Sequence, residues 1–352
     1  MDTKPLRWAL VVPTYNRRAT LRSSLGHAVS QSRPPHEIVV VDASDDWLES
    51  RTQIFDEVAP LDPSVRFRYE PAQVRSATTQ RNQAIDLARS EVLFMLDDDS
   101  FMYPDCAERV MEIYDADKDC GVIGVGPREM PTLPELDDAT TAHDESDPMN
   151  ALLYRAIERV KRLFDVERVL LPYDPEYPQH EIPEEVKRFD VVATRYLAGM
   201  RMTWRGAWAR VERFDETLRK YSAAEDMDFS YRMSRHGAVL NALSARLHHS
   251  QDESARLTRH TRTLLGLLNI AYLYRRNGHD PVRLFQRYKL RLLERLALDA
   301  IRDVLRRRTS LPYARADARA LQMLHEILTV DERELAGWYG RLQTQILDAN
   351  AA

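Results

Sequence analysis

The sequence predicts an α/β fold: a mostly parallel sheet flanked by helices, followed by a C-terminal helical region. Three observations carry that expectation. Short, apolar, β-branched runs alternate with helix-period stretches over the first 130 residues, the pattern of strands joined by helical crossovers. Three of those runs end in polar residues, Thr14-Tyr15-Asn16, Asp42-Ala43-Ser44 and Asp97-Asp98-Asp99. In parallel sheets ligands bind at this carboxyl edge. From about residue 254 onward the pattern is helical.

Taken in order, "WALVVP" (8–13) reads as a buried strand ended by Pro13. Residues 18–31 read as a helix, with Leu21, Leu25, Ala28 and Val29 at helical spacing. "EIVVVDAS" (37–44) is a second strand, and the alternating "VRFRY" (65–69) a third. "ATTQRNQAIDLARS" (77–90) reads as a helix with a Ser/Thr-rich start. "VLFML" (92–96) and "GVIGVG" (121–126) are strands four and five. Residues 127–150 suggest an exposed loop, 151–171 a helix and 172–185 a Pro-rich loop. "DVVATRYLAGMRMTW" (190–204) is strand-like, with Gly199 permitting a bend. A helix follows Glu225, and "LSARL" precedes His248 and His249 as a short strand.

Composition sets limits. Of 352 residues, 44% are hydrophobic and 30% charged, and the net charge is −5. That is ordinary for a globular protein and gives no global basic field for nucleic acid. No run of about 18 uncharged apolar residues exists to span a membrane, and the N-terminus lacks the pattern of a signal peptide. Cys106 and Cys120 stand outside any CxxC. A reduced, cytoplasmic protein is the expectation. The chain also has no GxxxxGK[ST], and "GVIGVG" lacks GxGxxG spacing. Any phosphate must therefore be neutralised by other means.

The stretch "EVLFMLDDDSF" (91–101) offers one. Three adjacent carboxylates repel one another and resist burial unless compensated. Mg²⁺ or Mn²⁺ favours carboxylate oxygens and bridges proteins to phosphates. Alternation aims Asp97 and Asp99 one way and Asp98 the other. A lone DxD is common by chance; here it has company. "VVPTYNR" (11–17), "VVDASDD" (40–46), "RNQAIDLA" (81–88), "VLFMLDDDS" (92–100), "GMRMTWRGAW" (199–208) and "FDETLRKYSAAEDMDFSYRMSRHG" (214–237) follow in order. Together they resemble the family 2 glycosyltransferases over roughly residues 8–250.

That resemblance implies the GT-A fold, with a catalytic domain over 1–250 (nucleotide half 1–126, acceptor half 127–250) and a helical region over 251–352. It implies that Pro13, Thr14, Tyr15, Asn16 and Arg17 line a nucleotide pocket. It implies Asp42 at the base, Arg81 near base and phosphates, and Asp97 and Asp98 at the donor, with Asp98 on the ribose. Asp99 would hold Mg²⁺ or Mn²⁺, with His248 preferred over His249 as a further ligand. Asp226, beside Glu225, would be the catalytic base toward an acceptor hydroxyl, while Asp228 reads as a helix-start acid. The activity implied is metal-dependent, inverting transfer from a nucleotide-diphosphate sugar, UDP-linked by preference, to a glycan or lipid-linked glycan in surface polysaccharide synthesis. Tyr15 suits stacking on a base or an ordinary loop; Trp204 and Trp208 suit an acceptor sugar or the core; Arg201 and Arg205 suit a diphosphate or solvent. The rivals are a retaining transferase of the same fold, a nucleotidyltransferase and a binding module with an inactive site. A nucleotidyltransferase usually shows a glycine-rich loop after strand one, and "PTYNRR" has no glycine.

The charge balance shifts near the end. Between Arg256 and Arg308 fourteen Lys or Arg face four acids. In "RLFQRYKLRLLERLALDAIRDVLRRR" (283–308), Leu284, Tyr288, Leu292, Leu296, Ala300 and Val304 lie four apart amid basic residues. Such a helix can lie on an anionic membrane surface, or pack its stripe on the protein itself or on a second subunit.

Overall fold

The computed structural model of the protein describes residues 5–133, 173, 176–219, 223–250 and 258–351. The chain divides into two units: Met1–Glu135 with Tyr177–Arg256, and Leu136–Glu176 with Leu257–Ala352. A single cut near residue 250 therefore misses the earlier segment, Leu136–Glu176, that groups with the C-terminal helices. Its described end shows why. The Tyr173 hydroxyl donates to the Leu273 carbonyl at 2.9 Å, and the Glu176 carboxylate accepts the backbone amides of His279 and Asp280. The helix expected over 151–171, and the loop expected over 127–150 beyond residue 133, lie outside the described residues.

The first unit is built on a nine-stranded sheet. Its strands are β1 (Trp8–Thr14), β2 (Glu37–Asp42), β3 (Arg66–Pro71), β4 (Val92–Met95), β5 (Ser100–Met102), β6 (Val122–Met130), β7 (Val191–Ala193), β8 (Met202–Arg205) and β9 (Ala238–His249). The order is β3-β2-β1-β4-β8-β6-β9-β5, with β7 on β9. β1 to β4 are parallel, β8 runs antiparallel between β4 and β6, and β6 and β9 pair in parallel. The helices α1 (Arg18–Val29), α2 (Trp47–Glu57), α3 (Ala77–Leu87), α4 (Cys106–Ala116), α5 (Gly206–Glu212) and α6 (Glu225–Met233) cover the faces.

Period-two alternation splits the core in two. Leu10, Val12, Ile38, Val40 and Phe94 face α1 and α4 through Leu21, Leu25, Val110 and Met111. Ala9, Val11, Val39, Val41, Leu93 and Met95 face α3 and α6 through Ala84, Ile85 and Phe229. Burying each such Val, Leu, Ile or Phe side chain is worth about 1.5–3 kcal/mol. That is why strands buried on both faces read as continuous apolar runs.

The strand-like 190–204 stretch is two short strands, β7 and β8, separated by a 3₁₀ turn at Gly199–Arg201. The glycines of "GVIGVG" allow close packing. A Cβ at Gly124 would lie 2.3 Å from the Trp204 ring, and one at Gly126 2.6 Å from Leu197. Trp204 is fully buried, so the core reading holds for it.

The second unit contains α7 (Arg259–Asn277), α8 (Pro281–Leu305), α9 (Pro312–Thr329) and α10 (Glu332–Ala351). Asp280 caps α8 by accepting the Arg283 amide, and Pro281 begins it. Leu284, Phe285, Tyr288 and Leu292 are buried, and the Tyr288 hydroxyl donates to Leu267 of α7. The four-residue stripe expected on α8 thus splits. Its first half packs inward, while Val304 is 65% exposed. Among the described residues no helix is long and apolar enough to cross a membrane.

Candidate active site

Parallel register brings the strand ends level. Thr14 lies opposite Asp42, and Asp42 opposite Pro71. Gln80 ties two of these ends together, its side-chain amide donating to the carbonyls of Thr14 and Val41, both at 2.9 Å. Sequence reasoning missed Gln80, although it adjoins Arg81 in the quoted motif. Past Thr14 the chain turns through Asn16 in the left-handed region (φ 54°), where Asn is tolerated. The Asn16 amide then donates to the Ser44 hydroxyl. Asp42 is buried, and its carboxylate accepts the Ser44 amide at 2.8 Å and the Tyr69 hydroxyl at 2.6 Å. Burial first, then Asp42, push the Tyr69 phenol well above its usual range. Beside these loops lies an open cleft of about 650 Å³ lined by Asn16, Arg18, Ser44, Asp46, Glu49 and Gln53, within the range that takes small ligands. Tyr15 is 39% exposed, with the Arg75 guanidinium 5.2 Å above its ring.

β4 stops at Met95, and the three carboxylates follow on a turn in which the Ser100 amide donates to the Asp97 carbonyl. Each carboxylate has its own compensation. Asp98 accepts the Thr14 hydroxyl at 2.7 Å and Arg17 Nη1 at 3.0 Å. Burial still outweighs those bonds and raises the Asp98 carboxyl to about 6. Asp99 accepts the same Arg17 nitrogen at 3.1 Å through one oxygen. Its other oxygen is 3.0 Å from His249 Nε2. Asp97 accepts Arg81 Nη2 at 2.7 Å.

One donor atom each from Asp97, Asp99 and His249 lies within 4.8 Å of the others. Two carboxylates and an imidazole fit a divalent cation of the Mn²⁺ or Mg²⁺ kind, the nitrogen favouring Mn²⁺. Asp99 is buried and steered from both sides, whereas the Asp97 side chain is 34% exposed and open to a ligand. The histidine in this group is His249, correcting the preference for His248. β5 and β9 pair with Ser100 opposite His249 and Phe101 opposite His248. Alternation then sends the two rings to opposite faces. His248 Nδ1 instead donates to the Met130 carbonyl at 2.9 Å.

Arg81 joins two acidic groups far apart in the chain. It is buried, and its Nη1 donates to Glu225 at 2.8 Å while Nη2 holds Asp97. Next to Glu225, Asp226 accepts the Gly199 amide at 3.0 Å and the Met227 amide at 2.8 Å. Ala224 precedes the pair in a left-handed conformation (φ 73°), a strain of about 1–3 kcal/mol of the sort that persists where a site holds it. Burial, then the Asp226 charge, raises the Glu225 carboxyl to about 7. Burial raises Asp226 too, but its two amide bonds pull the other way. Of the pair, Asp226 is the one held by two backbone amides, while Glu225 is held by the Arg81 guanidinium. A Cβ at Gly199 would lie 3.0 Å from Arg81, so this close approach suits glycine.

Other side chains fall elsewhere. Asp228, in the first turn of α6, is buried and pairs with Arg232 one turn on at 2.9 Å. Arg205 is buried and pairs with Asp117 at 2.6 Å, and the half-buried Arg201 donates to the Pro127 carbonyl and Asn241. Trp208 stacks on His236, ring centroids 3.7 Å apart.

Comparison with known proteins bears on the family and the fold. Residues 9–163 match the family model for Glycosyl transferase family 2. Among curated proteins no sequence matches. The mannosyltransferase PcManGT from Pyrobaculum calidifontis, solved with GDP-Man and Mn²⁺, superposes with a TM-score of 0.53 at 15% identity, over 94% of this chain and 89% of that one. TarS 1–349 from S. aureus, solved with UDP-GlcNAc, gives 0.52 at 12% identity, over 98% and 93%. GalNAc-T7 with UDP, GalNAc and Mn²⁺ gives 0.52 at 12%, over 96% of this chain and 59% of that one. At such identities the shared feature is the fold.

Proposed function

We propose that this chain, which matches the Glycosyl transferase family 2 model over residues 9–163 and has the GT-A fold, is a glycosyltransferase that moves a sugar from a nucleotide-diphosphate donor to an acceptor hydroxyl with inversion. UDP is the favoured nucleotide, and the acceptor is a glycan or lipid-linked glycan of surface polysaccharide synthesis. Both cysteines are free thiols, in keeping with a cytoplasmic setting. A lipid-linked acceptor would be met at a membrane surface, and α8 is the element suited to one.

The observation that carries the reading is Arg81, which holds Asp97 and Glu225 at once. It ties a rim suited to a metal and diphosphate to an acid pair suited to proton transfer. The rim residues Thr14, Tyr15 and Arg17, with Pro13 behind them and Asp42 alongside, receive the nucleoside, and Asp98 the ribose. A divalent cation held by Asp97, Asp99 and His249 would neutralise charge on the departing diphosphate. Asp226 takes the proton from the acceptor hydroxyl while that oxygen bonds to the anomeric carbon and the bond to the diphosphate breaks. The amides of Gly199 and Met227 favour the ionised form of Asp226 against the effect of burial and aim it for this. Glu225 is a buffer beside it, oriented by Arg81. With the leaving group neutralised, no general acid is needed, and attack from the opposite face inverts the anomeric centre.

The test is product stereochemistry by NMR with each nucleotide sugar that raises the melting temperature. An inverted anomer, lost in Asp226→Asn, is expected; a retained anomer would overturn the role of Asp226 as base.

A further inference from the structure

Helix α8 has two apolar faces, and its own unit uses one. Leu284, Phe285, Tyr288 and Leu292 are buried. On the other side Leu290, Leu293, Ile301, Val304 and Leu305 are exposed, Leu290 by 62% and Ile301 by 57%. The spacing of 3 and of 8 between Leu290, Leu293 and Ile301, then 3 to Val304, keeps them on one stripe. Scattered apolar side chains on a surface need no explanation, but two apolar clusters on one helix face, Leu290 with Leu293 and Ile301 with Val304 and Leu305, do, even with Glu294 between them.

Charge says what covers it. Arg283, Arg287 and Lys289 border the start of the stripe, and Arg306 and Arg307 its end, all exposed. Glu294 is the exposed acid on this helix, and Arg291 pairs with it at 2.9 Å. At the same end Arg259, Arg302 and Arg308 gather around the Tyr313 ring at 4.4–5.5 Å, but Arg302 and Arg308 also pair with buried Asp299 and Asp303, so among the described residues the free charge here is that of Arg306 and Arg307 with the exposed Arg259. A second copy of this face would bring like charges together and be repelled. An anionic bilayer complements it: the leucines and isoleucine enter the acyl boundary while the arginine and lysine heads meet phosphates.

We propose that the Leu290–Leu305 face of α8 docks on an anionic phospholipid surface. The face differs from the Leu284–Tyr288–Leu292 stripe, which is spent on packing. The proposal deepens the reading of the acceptor as lipid-linked, yet its test uses no transfer reaction, so either can fail alone.

The full chain is sedimented with phosphatidylcholine vesicles and with vesicles containing phosphatidylglycerol. Binding to the anionic vesicles alone, weakened by salt, is expected. Ile301→Glu with Val304→Glu should abolish it, and Arg306→Gln with Arg307→Gln should weaken it by about tenfold or more, at roughly 1 kcal/mol for each cation. All these side chains are exposed, so melting temperature and nucleotide binding stay at the wild-type value. Equal sedimentation of wild type and the double-glutamate variant overturns the proposal. So does a lack of anionic binding in wild type, or a dimer in sedimentation velocity that the double-glutamate change dissolves, which would make the face a self-interface.

Discussion

Asp226 and Glu225 sit side by side but differ in what holds them, and that difference is measurable. Asp226→Asn should leave nucleotide binding intact while lowering kcat by about 10²–10⁴-fold, the range of a lost general base; loss of nucleotide binding would make the residue structural. Transfer should slow as pH falls and Asp226 takes up its proton. A second inflection near pH 7 belongs to Glu225, whose carboxyl is raised to about 7, and it should vanish in Glu225→Gln. A profile unchanged by that substitution contradicts the assignment. Asp98 gives a stability test. Its folded carboxyl, at about 6, lies above the unfolded value near 3.9. The folded state therefore binds more protons between those values, and stability falls as pH rises through that window. With metal chelated, Asp98→Asn should stabilise the protein at pH 7 by on the order of 1–3 kcal/mol and show no gain near pH 4. Urea unfolding at the two pH values decides it.

At the scale of elements, the sheet depends on glycine where an aromatic ring needs room. Gly124→Ala would set a Cβ 2.3 Å from Trp204, at a cost of about 1–3 kcal/mol in denaturant unfolding. Trp204→Leu in that background should recover part of the loss; additive losses would mean the two residues are not coupled. The strands β1, β2 and β4 were legible because burial on both faces leaves near-continuous apolar runs, and the half-exposed β3 by its alternation. The helix α2 was not, since only Ser50 and Ile54 of it are buried and its apolar period is faint. β5 is three residues long, too short for any pattern. The choice between His248 and His249 needs the register of β5 on β9, a long-range fact that no local motif carries. Arg81 was legible as a site residue, but its two partners, Asp97 and Glu225, are joined only by the fold.

Across the whole molecule, the candidate site lies within the first unit, and the described helices of the second add a basic, apolar-striped surface of their own. The division of labour was half-visible in the sequence, in the switch from alternating to helical pattern near residue 254 and in the excess of arginine beyond it. The grouping of Leu136–Glu176 with the second unit was not, because it rests on tertiary bonds such as those of Tyr173 and Glu176. The central claim is that the aspartate rim binds a diphosphate through a divalent ion. Calorimetric titration of UDP and GDP, with Mn²⁺ and with chelator, in wild type, Asp99→Asn and His249→Ala, tests it most directly. Binding that requires Mn²⁺ in wild type and is lost in both variants is the expected result. Equally tight nucleotide binding under chelator, or in Asp99→Asn with Mn²⁺ present, would contradict it.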